Sequence, residues 1–264
     1  MLPYFKNELK RAIFSKSSLV AFILTLITLL IGAYGTLFYG FSPQFDYCKK
    51  LYDSIDIFII IKDFGSYSFL GVIAPLLAVL PFSNSYLQEK DSAFLKFIYT
   101  RIDTKKHITI KILVNAITSG LIVITSFIFV FALICLLLGI NVNHNSTFEI
   151  VGQYIFLYRK SKWLYIIYIF ILTFLFNAIF ATLALGLSRF INNKYLSFLC
   201  PFAIYMLSMT LFPYIGLGRY KMCSLFSSTV PNNELFILIY QIVLLILSVI
   251  LFNLGVRYRN GKDL

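Results

Sequence analysis

Side chains that could carry catalysis or bind a metal are few in this sequence, and they are widely separated. The two histidines, His107 and His144, have the apolar stretch 112–140 between them, and the four cysteines lack the paired spacing of a metal site. The sequence has no HExxH zinc motif, no GxSxG nucleophile motif and no GxxxxGK[ST] phosphate-binding loop. We therefore predict that the chain is not an enzyme by itself, and that it binds no metal or cofactor.

Residues 86–111, YLQEKDSAFLKFIYTRIDTKKHITIK, offer binding chemistry instead. This segment carries six Lys or Arg residues and three acids between two strongly apolar blocks. Phe94, Phe97 and Ile98 follow the spacing i, i+3, i+4, which puts them on one face of a helix. Two interpretations stay open: this face binds an apolar groove on a soluble partner protein, or it rests on the surface of a bilayer.

The composition indicates a membrane protein. The 264 residues are 59% hydrophobic and 13% charged, with a mean hydropathy of +0.85, whereas about 25% of the residues in ordinary globular domains are charged. The net charge of +12 is spread over short clusters of Lys and Arg between apolar runs, without a continuous basic face. We predict no nucleic-acid partner, because positive loops beside membrane spans account for the same charge.

A membrane-spanning helix needs about 20 mostly apolar residues. Six stretches meet this requirement, and none of them contains Asp, Glu, Lys, Arg or His: 19–40, 69–87, 112–140, 164–188, 196–214 and 235–256. In the second stretch, Pro75 and Pro81 predict a broken or kinked helix. The sequence therefore predicts an all-α integral membrane protein with six transmembrane helices in one domain, 1–264.

Residues 1–18 have the pattern of a helix that lies in the membrane interface. Phe5, Leu9 and Ile13 follow the spacing i, i+4, i+8, and the basic residues lie on other faces. A frayed basic tail is the alternative.

The orientation follows from the distribution of Lys and Arg among the loops. Of the 23 basic residues, 15 lie in 1–18, 88–111, 189–195 and the C-terminal segment. This excess predicts that both termini and the 86–111 segment are cytoplasmic. The two histidines then lie on opposite sides of the membrane, where we expect both to be solvated loop residues.

Three segments are predicted to lie on the outer side: 41–68, 141–163 and 215–234. The IFIII run in the first is too short to span, so we expect it to pack against the outer ends of the helices. The last segment is either an external cap or a partly re-entrant piece. Cys48 and Cys223 both fall on this side, and whether they form a disulfide stays open.

The 86–111 segment resembles the loop that follows the second helix in ABC-2 type transporter permeases. The resemblance lies in Glu89-Lys90, in the run Phe94-Leu95-Lys96-Phe97-Ile98 and Arg101, in Lys105-Lys106, and in Lys111 at the start of the third span. In that family an acidic residue leaves helix two, an apolar coupling helix follows, and a Lys begins helix three. The layout of six spans behind a basic amphipathic start is similar as well.

The resemblance implies the permease subunit of an ATP-binding cassette exporter. Two permease subunits, identical or related, would pair with two copies of an ATPase subunit that holds the ATP and Mg²⁺. The coupling residues would be Glu89, Lys90, Phe94, Leu95, Lys96, Phe97, Ile98 and Arg101. In this interpretation Phe94, Phe97 and Ile98 enter a groove on the ATPase, while Glu89, Lys96 and Arg101 set the orientation.

The resemblance also implies a pathway between the two permeases. The lining candidates on spans one and five are Tyr34, Tyr205, Met206, Met209 and Phe212. Ordinary helix packing or lipid contact is the alternative for each of them. Few charges and many aromatic residues favour an amphipathic or hydrophobic cargo, such as a peptide or bacteriocin, a lipid-like molecule or a drug.

The implied location is the plasma membrane, and the abundance of Ile, Lys, Asn, Phe and Tyr is compatible with an AT-rich bacterial genome. Two other functions remain as alternatives. The first is a membrane scaffold or sensor subunit that binds a cytoplasmic partner and transports nothing. The second is a lipid-modifying membrane enzyme, against which the lack of convergent His, Asp or Glu argues.

Overall fold

The computed structural model describes residues 2–39, 42–64, 69–91, 94–140, 148, 150, 152–188, 190–191, 193–228 and 234–260. Within these ranges the side chains of 39, 64, 90, 91, 94, 96, 219, 234, 235 and 256–260 lie outside the description. The α-helices are α1 (Leu2–Ile13), α2 (Lys16–Leu37), α3 (Phe45–Leu51), α4 (Ser54–Ile59), α5 (Leu70–Val79), α6 (Ser85–Asp91), α7 (Phe94–Tyr99), α8 (Thr104–Leu138), α9 (Ile155–Lys160), α10 (Lys162–Leu187), α11 (Lys194–Tyr214) and α12 (Glu234–Asn260).

Smaller elements connect these helices. A two-stranded antiparallel ribbon pairs β1 (Phe38–Tyr39) with β2 (Ser42–Pro43). A π-helical turn, Ile60–Phe64, extends α4, and two 3₁₀ turns, Gly218–Tyr220 and Met222–Leu225, lie between α11 and α12. The described chain is therefore predominantly helical.

Five helices in the described residues are long and apolar enough to cross a membrane. They are α2, α8, α10, α11 and Phe236–Gly255 within α12, with 20 to 35 residues each. At 1.5 Å per residue, even 20 residues reach about 30 Å, the thickness of the hydrocarbon core. These five helices confirm an all-α protein of the multi-pass membrane type.

Helix α10 lies at the centre of the bundle. Its most apolar window is 67% buried, against 22–39% for the other four helices, and it packs against α5, α8, α11 and α12. The other helices leave apolar side chains such as Ile23, Ile27 and Leu199 exposed. An apolar outer surface on a bundle with a packed centre is what a lipid environment requires.

The second predicted span, 69–87, is interrupted. Helix α5 has only 10 residues, about 15 Å at the helical rise. It ends at Val79, a turn over 80–84 contains Pro81, and α6 begins at Ser85. The predicted break is therefore confirmed, and its position is Pro81, while Pro75 lies inside α5. A proline ring removes a backbone donor and disfavours helix in the residue before it, which explains the early end of α5.

The predicted packing of the IFIII run is confirmed. Ile57, Phe58 and Ile59 are buried in the main core, and the Phe58 ring lies 5.8 Å from the ring of Phe127 and 5.4 Å from that of Phe131 on α8. Burial of these side chains draws the 54–64 segment into the bundle, because α8 and α10 supply an aromatic surface there.

The 222–228 segment also packs within the bundle. Leu225 and Phe226 are buried, and the Phe226 ring lies 5.1 Å from that of Phe176 on α10. Phe176 is 14 residues from the start of α10, which corresponds to about 21 Å along the helix. This depth favours the re-entrant alternative over an external cap. Cys223 and Cys48 are both free thiols and form no disulfide with each other.

Candidate functional site

A buried cluster of charges lies where α1, α6 and α8 meet, at the end of the bundle where α2, α8 and α11 begin. It consists of Tyr4, Glu8, Arg11, Glu89, His107 and Lys111, and we call it the Glu89–Lys111 network. Its members come from three elements that are up to 103 positions apart in the chain.

Lys111 is the centre of this network. Its side chain is fully buried, and Nζ donates to Glu8 Oε2 at 2.8 Å and to Glu89 Oε1 at 2.5 Å. Nζ also lies 4.6 Å from the centroid of the Phe82 ring, a geometry that favours a cation. The lysine thus ties α1 and α6 to α8. In the sequence, Glu89 lies just after the second apolar stretch and Lys111 directly before the third.

Arg11 supplies the second positive charge that faces the carboxylates of Glu8 and Glu89. Its Nη2 contacts Glu8 Oε2 at 3.1 Å and also donates to Glu89 Oε1, while its side chain stays 44% exposed. Two carboxylates therefore face two cations. Buried charges are tolerable in such a neutral arrangement, whereas removal of one partner leaves an uncompensated charge.

His107 lies at the same junction. The structure corrects its assignment as a solvated loop residue: its side chain is fully buried. Helix α8 begins at Thr104, so His107 already belongs to its first turn and faces α1. The Tyr4 hydroxyl lies 2.8 Å from His107 Nδ1, and His107 Nε2 lies 3.7 Å from Glu89 Oε2.

Tyr4 keeps its hydroxyl proton, and this determines which hydrogen bond it can make to His107. Burial, with the neighbouring carboxylates of Glu8 and Glu89, raises the pKa of Tyr4 well above its usual range, so its hydroxyl stays protonated and can donate to Nδ1 of the imidazole. A neutral imidazole then carries its proton on Nε2, toward Glu89. The network holds α1, α6 and α8 in position relative to one another. Within the described residues no group of three metal-ligating side chains occurs.

Helix α7 lies in the chain between Glu89 and His107 of this network, and its described side chains divide between two faces. Leu95 and Ile98 are buried against Tyr86, Leu185 and other apolar side chains of the chain itself. Phe97 is 68% exposed, and Arg101, just beyond the helix, is exposed as well. Among the described side chains, the exposed side of α7 therefore presents Phe97, and the exposed Arg101 follows just after the helix.

Three of the predicted coupling residues differ from the expectation. Ile98 is only 6% exposed, Glu89 only 4% and Leu95 only 9%, so all three contact their own chain rather than a free surface. The spacing i, i+3 puts Ile98 on the buried face with Leu95, and Glu89 pairs with Lys111 and Arg11. The side chains of Lys90, Phe94 and Lys96 lie outside the described residues.

The five pathway candidates do not form one surface. Tyr205 is fully buried, its ring packs against Phe176 and Phe180, and its hydroxyl donates to the Gly71 carbonyl at 2.6 Å. The fully buried position corrects the expectation that it lines a pathway. The remaining four are partly exposed: Tyr34 is 46% exposed, and Met206, Met209 and Phe212 are half-buried.

The bond from Tyr205 has a structural cause in α5. Pro75 has no N–H, so it cannot donate to the carbonyl of Gly71 four residues earlier. The Tyr205 hydroxyl supplies the missing donor from α11. A polar group freed by proline inside a membrane helix must find such a partner.

Sequence reasoning missed two further buried charge clusters, one at the opposite end of the bundle and one deeper within it. Lys162 donates to Asp53 at 2.6 Å and to Asp56 at 2.7 Å, and Tyr158 donates to Asp56 at 2.5 Å. Asp53 and Asp56 also form a capping box at the start of α4, and this D-x-x-D spacing was a readable signal. Burial raises the pKa of Asp56, against the hydrogen bonds from Lys162 and Tyr158.

The second of these clusters joins the π-helical turn to the 222–228 segment. Lys62 donates to Asp63 at 2.9 Å and to the Phe226 carbonyl at 2.7 Å, and the Ser228 hydroxyl donates to Asp63 at 2.6 Å. Nothing in the hydropathy pattern indicates this pairing, because the two segments are about 165 positions apart.

Comparison with known protein families finds no match for this chain. Comparison with curated proteins finds no relative either.

Proposed function

We propose that this chain is the permease subunit of an ATP-binding cassette exporter. In this proposal it has six membrane crossings, with both termini in the cytoplasm, and the interrupted α5–α6 stretch makes the second crossing. A separate ATPase subunit binds each permease at α7, and two permeases, identical or related, form the transporter in the plasma membrane of a bacterium. The cargo is an amphipathic or hydrophobic molecule such as a peptide, a lipid-like compound or a drug.

One observation carries the proposal: the two-faced character of α7. This short helix is fixed on one side by Leu95 and Ile98 and exposes Phe97 on the other. It also lies between an interrupted apolar stretch and the long helix α8. An exposed aromatic side chain on a well-anchored helix is a typical anchor for a partner protein, since little conformational entropy is lost when it binds.

The Glu89–Lys111 network gives such a binding site a mechanical role. A force on α7 acts first on α6 and on the start of α8, and Lys111 links both to α1 through Glu89 and Glu8. In the proposed mechanism, closure of the two ATPases on ATP moves α7, and the ion pairs carry this displacement to α1 and α8. The resulting change in contacts between permeases would shift the equilibrium between access states.

The test is co-purification of the chain with the ATPase encoded beside it, in nanodiscs, for wild type and Phe97→Ala. Phe190→Ala is the matched control, because Phe190 is 49% exposed and lies on the same end of the bundle, between α10 and α11. We expect Phe97→Ala to weaken the complex about 30-fold, as truncation of an aromatic hot spot does. Phe190→Ala should leave it unchanged.

Two results would refute this binding site: equal affinity of the two variants for the ATPase, or no association with the wild type. Association that survives both substitutions, without cargo-stimulated ATP turnover, would instead favour the scaffold or sensor alternative.

A further inference from the structure

An open groove of about 340 Å³ lies between α1 and the start of α8. Leu2 and Phe5 line it from α1, and its α8 wall includes Lys105, Lys106, Thr109 and Leu113. The groove is accessible from outside the chain, because Leu2 is 72% exposed and Leu113 is 48% exposed. None of the six residues of the Glu89–Lys111 network lines it, so it is a separate feature of the molecule.

The groove is basic at one end and apolar at the other. Lys105 and Lys106 belong to the first turn of α8, and both are exposed. Leu113 is eight positions after Lys105, which corresponds to about 12 Å along the helix. From 112 to 138, α8 has no charged residue, so its apolar run begins inside the groove. In a bilayer, such a groove extends from the headgroup region to the first part of the hydrocarbon core.

The two lysines at the basic end have no acidic partner. Among the described residues, neither Lys105 nor Lys106 forms an ion pair. Asp103 precedes the helix but does not line the groove. A lysine ammonium is a compact point charge that binds phosphate groups. The charge of both side chains is therefore available to an anion that lies in the groove.

The ligand that matches both ends is an amphiphile with a negative head and a hydrocarbon chain. A phospholipid has a phosphate and acyl chains in this order. In phosphatidylcholine and phosphatidylethanolamine, an ammonium group neutralises the phosphate and would lie close to the two lysines. The glycerol headgroup of phosphatidylglycerol is neutral, so this lipid keeps a net negative charge. Charge complementarity therefore favours an anionic phospholipid over a zwitterionic one.

We infer that this groove binds an anionic phospholipid from the surrounding membrane. Lys105 and Lys106 hold its phosphate, and one acyl chain lies along Phe5 and Leu113. A soluble phosphate compound would satisfy the lysines but would leave the apolar wall uncovered. The inference stands without the transport proposal, because it rests on the groove alone. A bound lipid would contact α1 and α8 together and so hold the start of α1 against the bundle.

The experiment is native mass spectrometry of the full chain released from detergent micelles, titrated with dioleoyl-phosphatidylglycerol, dioleoyl-phosphatidylethanolamine or dioleoyl-phosphatidylcholine. The key variant is Lys105→Gln with Lys106→Gln. Its matched control is Lys10→Gln with Lys16→Gln, which removes the same charge from two lysines that line none of the described cavities. All four lysines are exposed, so both variants should fold.

We expect wild type to bind phosphatidylglycerol about five- to thirtyfold more tightly than the two zwitterionic lipids, because each lysine beside an anionic lipid contributes about fivefold. The Lys105 and Lys106 variant should lose most of this preference, and the control should keep it. Equal affinity of wild type for the three lipids, or the same preference in both variants, would overturn the inference.

A second variant, Thr109→Trp, tests the groove itself. Thr109 is exposed and lines the groove between the lysines and Leu113, so the indole should occupy the space of the acyl chain while both charges remain. The control is Leu121→Trp, at a position on the same helix that is 41% exposed and lines none of the described cavities. Thr109→Trp should lower the affinity for phosphatidylglycerol about tenfold, the loss for roughly two displaced methylene groups. Leu121→Trp should leave the affinity unchanged.

Unchanged affinity in Thr109→Trp would refute the groove as the binding site, because the lysines would then attract lipid to an open surface. A soluble competitor, glycerophosphoglycerol, has the same headgroup without acyl chains and should fail to displace the lipid at millimolar concentration. Displacement at the affinity of the lipid would identify a soluble phosphodiester as the ligand and refute the lipid assignment.

Discussion

At the scale of single residues, Lys111 makes the largest predicted contribution to stability. It is fully buried between Glu8 and Glu89, so Lys111→Met leaves two buried carboxylates with Arg11 alone. Breaking a buried ion pair by removing one partner costs about 3–5 kcal/mol. We expect a large drop in the thermal unfolding temperature in detergent, measured by loss of the monodisperse peak after heating.

The control for this change is Lys106→Met on the same helix. Lys106 is exposed, and exposed substitutions of this kind usually change stability by no more than about 0.5 kcal/mol. The double variant Lys111→Met with Glu89→Gln should recover part of the loss, because Arg11 then balances the one carboxylate that remains. If Lys111→Met is as stable as Lys106→Met, the network contributes nothing to stability.

The sequence indicated some of these residues and not others. Glu89 and Lys111 were named from the family resemblance of the 86–111 segment, and Phe97 from the short amphipathic run in which it lies. Glu8, Arg11 and His107 could not, since their partners are 78–103 positions away. Hydropathy treats a charge beside an apolar run as solvated, whereas packing of α1 over α8 buries it.

At the scale of elements, α5 depends on a donor from another helix. Tyr205→Phe removes the hydroxyl that donates to the Gly71 carbonyl, which Pro75 leaves without an intrahelical partner. The expected loss is about 1–2 kcal/mol, because the ring still fills its site while a buried carbonyl becomes unsatisfied. Thermal unfolding in detergent measures the difference.

A double-mutant cycle isolates this mechanism. Pro75→Ala restores the backbone N–H that can bond to Gly71, so Tyr205→Phe should cost less in the Pro75→Ala background than in wild type. The same cost in both backgrounds would mean that Tyr205 stabilises the protein by some contact other than the one with α5.

The long helices were predictable and their ends were not. A run of 20 apolar residues can only satisfy its backbone as a helix in a membrane, so α2, α10, α11 and α12 follow from composition. Helix α8 begins eight residues before its predicted span, at Thr104 rather than 112. Its first turns are amphipathic, and their buried face is defined by α1, a long-range contact that a hydropathy window does not detect.

At the scale of the whole molecule, buried charge joins elements at both ends of the helix bundle and also deeper within it, where Lys62 pairs with Asp63 beside Phe226. The Glu89–Lys111 network ties α1, α6 and α8 together at one end, and Lys162 ties α10 to α4 at the other. Between them the core is mostly apolar and aromatic. The ion pairs at each end hold the helix termini in fixed positions relative to one another. The outer faces of the helices have no such pairs in the described residues and are suited to contact with lipid.

This division yields a prediction that separates binding of an ATPase from coupling to it. Glu8→Gln keeps the shape of the side chain and leaves α7 untouched, but it removes the charge that links α1 to Lys111. If the network carries motion from α7 to α1, the variant should bind the ATPase as wild type does while its cargo-stimulated ATP turnover falls about fivefold or more, the lower range of an allosteric coupling. Phe97→Ala should show the opposite pattern, with weakened binding.

Reconstituted nanodiscs with both subunits allow both quantities to be measured on one sample. Wild-type turnover in Glu8→Gln, with an unfolding temperature lowered as for any buried charge, would restrict the network to a role in stability.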